Sequence, residues 1–417
     1  MRPIPASTTA AAAALLFLNT VRGQAGTEQS EANLKDPNQE CAPYSYPPVA
    51  AALTQFPPIW EPCAGILPGD SAGQAKFAAM NASVPQIAPK GLLGVPTPNL
   101  PYPATDPDCW WTASTCTTPK ASGVKPDIAA VPEPKTLGYG FDDGPNCSHN
   151  AFYDYLLQKE QKATMFYIGS NTLDWPLQAQ RAVADGHEIC VHSWSHRSMT
   201  AFTNEQVFAE LWYTMQAIKL VTGYTPTCWR PPLGDVDDRV RYIAQQLGLD
   251  NVLWKTNSND WEVSSGAATP QQVQANYQAL IDMANNGSLA TTGTIMLTHE
   301  LNNYTMQTAI DNYPALAQAF SHIVPVFVAM NKTQLYVETN YTEKTFSQYT
   351  SSANSSSGPA AGGSSAGGSG SGSSTSSSGN STSTSGKAAG ASAGVALRPA
   401  GALSVMVALA LFGALCL

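Results

Sequence analysis

Thr136-Leu137-Gly138-Tyr139-Gly140-Phe141-Asp142-Asp143-Gly144-Pro145 decides the reading of this chain: an apolar run ends in two adjacent carboxylates and a Gly-Pro step. The run reads as a strand over 136–141, and the Asp, Gly and Pro that follow are turn formers. An acid pair on a turn at the end of a strand can divide two chemical tasks between its members. Outward from it, strand-like runs at 163–168, 188–191, 251–255, 294–297 and 324–329 alternate with helical patterns. That alternation marks an α/β fold with parallel strands. The clearest helix starts at Thr203, where Thr203-x-x-Gln206 forms a capping box. Val207, Leu211, Met215 and Ile218 share its face and Gly223 ends it. Further helices are expected at 176–185, 238–247, 270–285 and, interrupted by Pro314, at 306–320.

His192-Ser193-Trp194-Ser195-His196 carries the second signal. Histidines four apart on a helical turn share a face, so both imidazoles can reach one divalent cation. A carboxylate completes a three-ligand set with room for water and substrate. Metal-assisted hydrolysis needs such a set, because the cation acidifies water and polarises a scissile carbonyl. Only 12% of residues are charged and six are histidines, against about 25% charged in ordinary domains, so the clustering stands out. With Asp143 as ligand, Asp142 is left to take the proton from water. Arg230, framed by Trp229 and Pro231-Pro232, is the candidate to orient that base. His299, closing the apolar run 295–298, is the candidate acid for a leaving amine. Asp260, in Asn257-Ser258-Asn259-Asp260-Trp261, can hold that imidazole in one tautomer and raise its pKa. Each piece taken singly has a plain reading too: a solvated turn, a surface arginine, a core histidine.

In this order, over about residues 133–325, the motifs resemble those of the polysaccharide deacetylase family, carbohydrate esterase family four, whose core is the NodB homology domain. The resemblance implies a distorted (β/α) barrel. It implies Asp142 as catalytic base, Asp143, His192 and His196 as ligands of zinc, with cobalt as the alternative, and Arg230 as the tether of the base. It further implies Asp260 as support of the general acid His299, Trp261 and Leu297 as walls of the acetyl pocket, and the Leu233 N–H as a donor to the oxyanion. Three positions depart from the pattern. Gly140 stands where Thr is common and is expected to loosen the turn; Leu233 replaces an aromatic; Asn257 replaces an Asp.

The rest of the chain is organised around this domain. Residues 1–23 read as a secretory signal, with Arg2, an apolar core over 10–18 and cleavage expected after Gly23. A Pro/Ala-rich extension covers 24–132 and is expected to wrap over the core of the 133–330 domain, whose edge is 331–350, with a small module of its own as the alternative. Residues 351–390 read as a disordered Ser/Gly/Thr-rich stalk. The last apolar stretch, 402–417, is short for a membrane span and follows the small residues Ala388, Ala389, Gly390, Ala391 and Ser392, the order of a glycosylphosphatidylinositol signal. Residues 391–417 are then removed, with Gly390 the candidate lipidated residue within the window from Ala388 to Ser392. Sequons stand at Asn81, Asn286, Asn303, Asn331, Asn340, Asn354 and Asn380, and at Asn146, which adjoins the acid pair and is the least expected to carry glycan. Seven cysteines remain outside the removed tail, so pairing in an oxidising compartment leaves one thiol.

A net charge of −9 and the lack of a phosphate-cradling Gly loop argue against nucleic acid as partner. Signal, anchor and stalk beside the deacetylase motifs resemble fungal cell-wall chitin deacetylases. That implies hydrolysis of N-acetyl groups on β-1,4-linked N-acetylglucosamine of chitin, at the outer face of the plasma membrane or in the cell wall. Two other readings share the sequence: a deacetylase or esterase of another acetylated polysaccharide, such as xylan or a glucosamine-rich polymer, and a non-catalytic glycan-binding wall mannoprotein. Trp110, Trp111, Trp194 and Trp229 are candidates to stack on sugars, though core packing is the expected role of most.

Overall fold

The computed structural model describes residues 26–93 and 100–356. The signal segment, the stalk beyond 356 and Asn380 lie outside the described residues. So does the expected anchor site: Ala388, Gly390 and Ser392, with the rest of their window and the apolar end that follows, are all outside them. Of Asn354 only the helical backbone is described. The strands are β1 (Thr136–Gly138), β2 (Gly140–Gly144), β3 (Thr164–Tyr167), β4 (Glu188–Val191), β5 (Cys228–Trp229), β6 (Asp250–Asn251), β7 (Thr256–Asn257), β8 (Thr294–Leu297) and β9 (His322–Val324). Every ladder between them is parallel, in the orders β7-β8-β1-β9 and β2-β3-β4-β5-β6. An isolated bridge from Asp142 to His299 joins the two sheets where β2 passes the end of β8. The result is a distorted (β/α) barrel.

Among the described residues five short helices precede β1: α1 (Glu28–Ala32), α2 (Pro37–Glu40), α3 (Pro47–Ala52), α4 (Ser71–Asn81) and α5 (Trp111–Ser114). Between and after the strands come α6 (Asn150–Gln158), α7 (Gly169–Asp174), α8 (Pro176–Ala184), α9 (Asn204–Thr222), α10 (Asp238–Gln246), α11 (Pro270–Asn285), α12 (Asn303–Ala319), α13 (Val326–Ala329) and α14 (Phe346–Ser356). Thr203 and Gln206 form the expected capping box of α9, and Gly223 closes it at φ 84°. No described helix is long and apolar enough to cross a membrane.

Three expected strands are corrected. The run 136–141 is two strands in two sheets: Leu137 and Gly138 pair with β8 and β9, whereas Gly140 onward pairs with β3. Gly140 does not loosen a turn. A Cβ there would come within 2.7 Å of the Thr164 carbonyl oxygen, so glycine permits the close approach of β2 to β3. The run 251–255 lies mostly between β6 and β7, where Val252 bridges Ile128 of the extension and Leu253 N–H donates to Ile128 O. The run 324–329 turns helical after Pro325, because the buried Glu188 carboxylate accepts the N–H groups of Phe327 and Val328 and draws them together. An apolar run this short has no period that separates strand from helix. The Pro314 helix starts earlier than expected, at Asn303, where the Asn302 side chain caps it.

The extension shares the barrel's core: Val49, Cys63, Met80 and Val84 are buried in one cluster with the strand residues. Disulfides link Cys41 to Cys147, Cys109 to Cys116 and Cys190 to Cys228; among the described residues the remaining thiol is the buried Cys63.

Candidate active site

Parallel strands deliver their C-terminal ends to one side of a barrel, and the chemically notable residues stand there. Asp142 and Asp143 lie on β2, His192 directly follows β4, Arg230 follows β5, Asp260 follows β7 and His299 follows β8. A cavity of about 470 Å³ opens on Asp142, Asp143, His192, His196 and His299, with Leu233, Trp261 and Leu297 also in its wall. Arg230 and Asp260 stand behind it, one touching Asp142 and the other His299.

The two aspartates face different partners. Arg230 Nη1 donates to Asp142 Oδ1 at 2.6 Å; the guanidinium is fully buried and lies 4.0 Å over the Phe166 ring. Asp143, at φ 74°, turns its Oδ1 toward His196 Nε2 at 3.1 Å and His192 Nε2 at 3.4 Å. Burial works to raise the Asp143 carboxyl, yet the two imidazoles, with His299 beyond them, hold it well below the usual carboxylate range. His192 Nδ1 pairs with the Arg230 carbonyl at 2.8 Å, which makes that nitrogen the N–H and leaves Nε2 as a lone pair facing Asp143.

Asp143 Oδ1 is buried yet accepts no hydrogen bond. The ligand atoms of Asp143, His192 and His196 all lie within 4.8 Å of one another. Ligands about 2.1 Å from a cation at tetrahedral or octahedral angles are separated by about 3.0–3.4 Å. The observed oxygen–nitrogen separations of 3.1 and 3.4 Å fall in that range, so the donor set fits a divalent metal.

His192 and His196 are not on a helical turn. Ser193 and His196 adopt left-handed backbone at φ 60° and 53°, folding the loop so that the two ring centroids come within 5.0 Å. The anchor of this loop is Glu210 on α9, whose buried carboxylate accepts the N–H of Trp194 and Ser195 at 2.9 Å, the Ser195 hydroxyl at 2.8 Å and the Cys63 N–H at 2.9 Å. Glu210 went unnoticed in the sequence. Its signal was a carboxylate three residues after Val207, on the apolar face of a helix.

On the far side of the cavity His299 Nδ1 pairs with Asp260 Oδ1 at 2.7 Å, and its backbone N–H donates to Asp260 Oδ2 at 3.1 Å. Burial lowers the imidazole pKa, but the Asp260 charge and hydrogen bond, reinforced by Asp143 and Asp142, outweigh it and lift the value to about 9.

A model of the family described as polysaccharide deacetylase matches residues 129–252. Chitin deacetylase 2 of Cryptococcus neoformans var. grubii is 51% identical over 320 residues, covering 76% of this chain and 70% of that protein. The chain belongs to the polysaccharide deacetylase family. The chitin deacetylase of Amylomyces rouxii is 47% identical over 315 residues, 73% of each chain. Among solved structures, the chitin deacetylase of Colletotrichum lindemuthianum aligns at a TM-score of 0.44 with 19% identity, over 50% of this chain and 94% of that one.

In this polysaccharide deacetylase, two more residues support the acid turn. Asn171 on α7 donates to the Asp143 carbonyl at 2.8 Å. Glu300, next to His299, accepts from Asn146 N–H at 2.8 Å and Tyr153 Oη at 2.7 Å, and its carboxylate lies where a Cβ on Gly144 would be. Glycine at 144 is therefore a matter of space. The Asn146 side chain is also committed, its Nδ2 donating to Leu301 O at 2.7 Å and its Oδ1 accepting from Ser148 N–H and Oγ–H. Of the departures from the family pattern, Asn257 lines the cavity and accepts the Asn259 N–H at 2.9 Å; Leu233 sits in left-handed backbone at φ 59°. Trp110, Trp194 and Trp229 are buried, so of the four tryptophans considered from sequence only Trp111 faces the cavity.

Proposed function

We propose that this enzyme hydrolyses the N-acetyl groups of β-1,4-linked N-acetylglucosamine in chitin, releasing acetate and leaving chitosan. The observation that carries the reading is one cleft holding an Arg-tethered carboxylate, a second carboxylate beside two imidazoles, and an Asp-held histidine, in a relative of chitin deacetylases. Asp142 takes a proton from the attacking water as the water oxygen bonds to the acetyl carbon. Arg230 fixes Oδ1 of that carboxylate, leaving Oδ2, 3.7 Å from His192 Nε2, to receive the proton. Pro231 and Pro232 have no N–H, so the Leu233 amide is the first donor in its loop for the oxygen that gains charge. When the C–N bond breaks, His299 Nε2 delivers its proton to the leaving nitrogen, while Asp260 keeps Nδ1 protonated and the ring in orientation. Trp261 and Leu297 wall off the acetyl methyl. A divalent cation on Asp143, His192 and His196, zinc before cobalt, supplies Lewis-acid polarisation of the water and the carbonyl.

The same reading sets the protein outside the cell, at the outer face of the plasma membrane through an anchor on Gly390 or a neighbour between Ala388 and Ser392, and in the wall. The apolar N-terminal segment behind Arg2 and the apolar end behind small residues support it. Asn81, Asn286, Asn303, Asn331 and Asn340 are exposed or half-buried, which suits N-glycans. Acetate release from chitin oligomers, with a chelator and after zinc is restored, tests the activity. Zinc-dependent acetate is expected; no acetate from chitin but release from acetylxylan would transfer the reading to another polymer.

A further inference from the structure

Two tryptophans of the extension, Trp60 and Trp111, line the same cavity as the metal ligands although both precede the strands of the barrel. Within its sheet β4, whose following loop carries His192 and His196, lies between β3 and β5. Trp60 is attached to the segment after β3: its backbone N–H donates to Ser170 Oγ at 2.8 Å and its indole N–H to Asp174 Oδ2 at 2.9 Å. Trp111 is attached to the segment after β5. Its N–H donates to Val236 O at 3.0 Å, its ring meets Trp254 edge-on at 4.7 Å, and it lies so close over Gly234 that a Cβ there would approach within 2.4 Å. The two indoles therefore flank the ligand-bearing loop.

Trp60 is held at a cost. Its backbone is left-handed at φ 68°, a conformation that is unfavourable for a bulky side chain and persists where the surroundings impose it. The residue is 43% exposed, yet the bond to Asp174 fixes the ring before any ligand arrives, so little side-chain freedom remains to be lost on binding. A fixed, exposed indole face suits the apolar C–H face of a pyranose ring. Trp111 brings an aromatic wall beside Leu233, an aliphatic residue.

We propose that Trp60 and Trp111 are sugar-stacking platforms on either side of the reacting acetamide, through which the N-terminal extension makes the enzyme select a chain of linked N-acetylhexosamines over a single sugar. The proposal rests on the deacetylase reading above. Full-length, zinc-loaded protein is assayed for acetate release from N-acetylglucosamine and its oligomers of increasing length. The wild type is expected to gain kcat/KM with length. Trp60→Ala and Trp111→Ala flatten that gain, raising KM for long oligomers by about tenfold more than they lower kcat, and Trp60→Phe restores most of the loss. A purely structural role would lower the melting temperature and depress every chain length alike. In the unmutated protein, mass-spectrometric mapping of N-bromosuccinimide oxidation should find Trp60 protected by a long chitin oligomer. Unchanged length dependence in both alanine variants, or Trp60 equally oxidised with oligomer bound and acetate being released, overturns the platforms. A wild type that releases no acetate from any oligomer overturns the deacetylase reading instead, and oxidation mapping then decides the platforms alone.

Discussion

Asp142 and Asp143 are chain neighbours whose carboxylates meet opposite surroundings: one accepts from a buried guanidinium, the other points a bare oxygen between two imidazoles. Substitution separates them. Asp142→Asn should reduce acetate release by about 10²–10⁴-fold and keep its divalent metal, whereas Asp143→Asn should lose the metal as well; elemental analysis beside the acetate assay reads both. The acid is open to a pH test. As the proposed general acid, His299 would work protonated, and its pKa is raised to about 9, so activity is expected to be retained below that value and lost as pH rises through it. The charge of a bound cation pulls the value down, which sets the alkaline limb of kcat/KM at or below about 9 in the loaded enzyme. Asp260→Asn leaves burial less opposed, so its limb should move to lower pH. These candidate residues were legible because their types and spacing are chemically restrictive. Asn171 and Glu210 were not, since each acts on a loop far away in sequence.

At the scale of elements, α9 does more than fill the outer layer. Through Glu210 it holds the loop after β4, and through the same carboxylate it holds Cys63 of the extension. Glu210→Ala would leave three buried N–H groups without an acceptor, each costing about 1–3 kcal/mol. A stability loss of at least about 3 kcal/mol in urea unfolding is expected, with weaker zinc retention at equal protein concentration. Local signals located the elements whose limits are local: the capping box and Gly223 of α9, Pro270 at the start of α11, and the apolar runs of β4 and β8. They misread 136–141, 251–255 and 324–329. Sheet membership on either side of Tyr139 depends on which strand lies alongside, and α13 depends on a carboxylate contributed by β4.

The whole molecule is tied together by the extension and its staples. Cys41–Cys147 spans 106 residues and fastens the first helices to the segment that follows the acid turn. In the chain-entropy account a closed loop of that size stabilises by about 4–5 kcal/mol. The double variant Cys41→Ser/Cys147→Ser should accordingly melt at lower temperature by calorimetry, with Cys109–Cys116 and Cys190–Cys228 intact by mass spectrometry. By itself the sequence determined the reaction chemistry and the α/β alternation, because ligand types, turn formers and caps are properties of residues or of short windows. Tertiary structure alone decided that Cys63 is the unpaired cysteine among the described residues, that a loop with two left-handed residues presents the histidines, that Asp142 bridges to His299 across the two sheets, and that Trp60 and Trp111 wall the cleft. Such contacts join residues far apart along the chain, and packing, with no local pattern to announce it, brings them together.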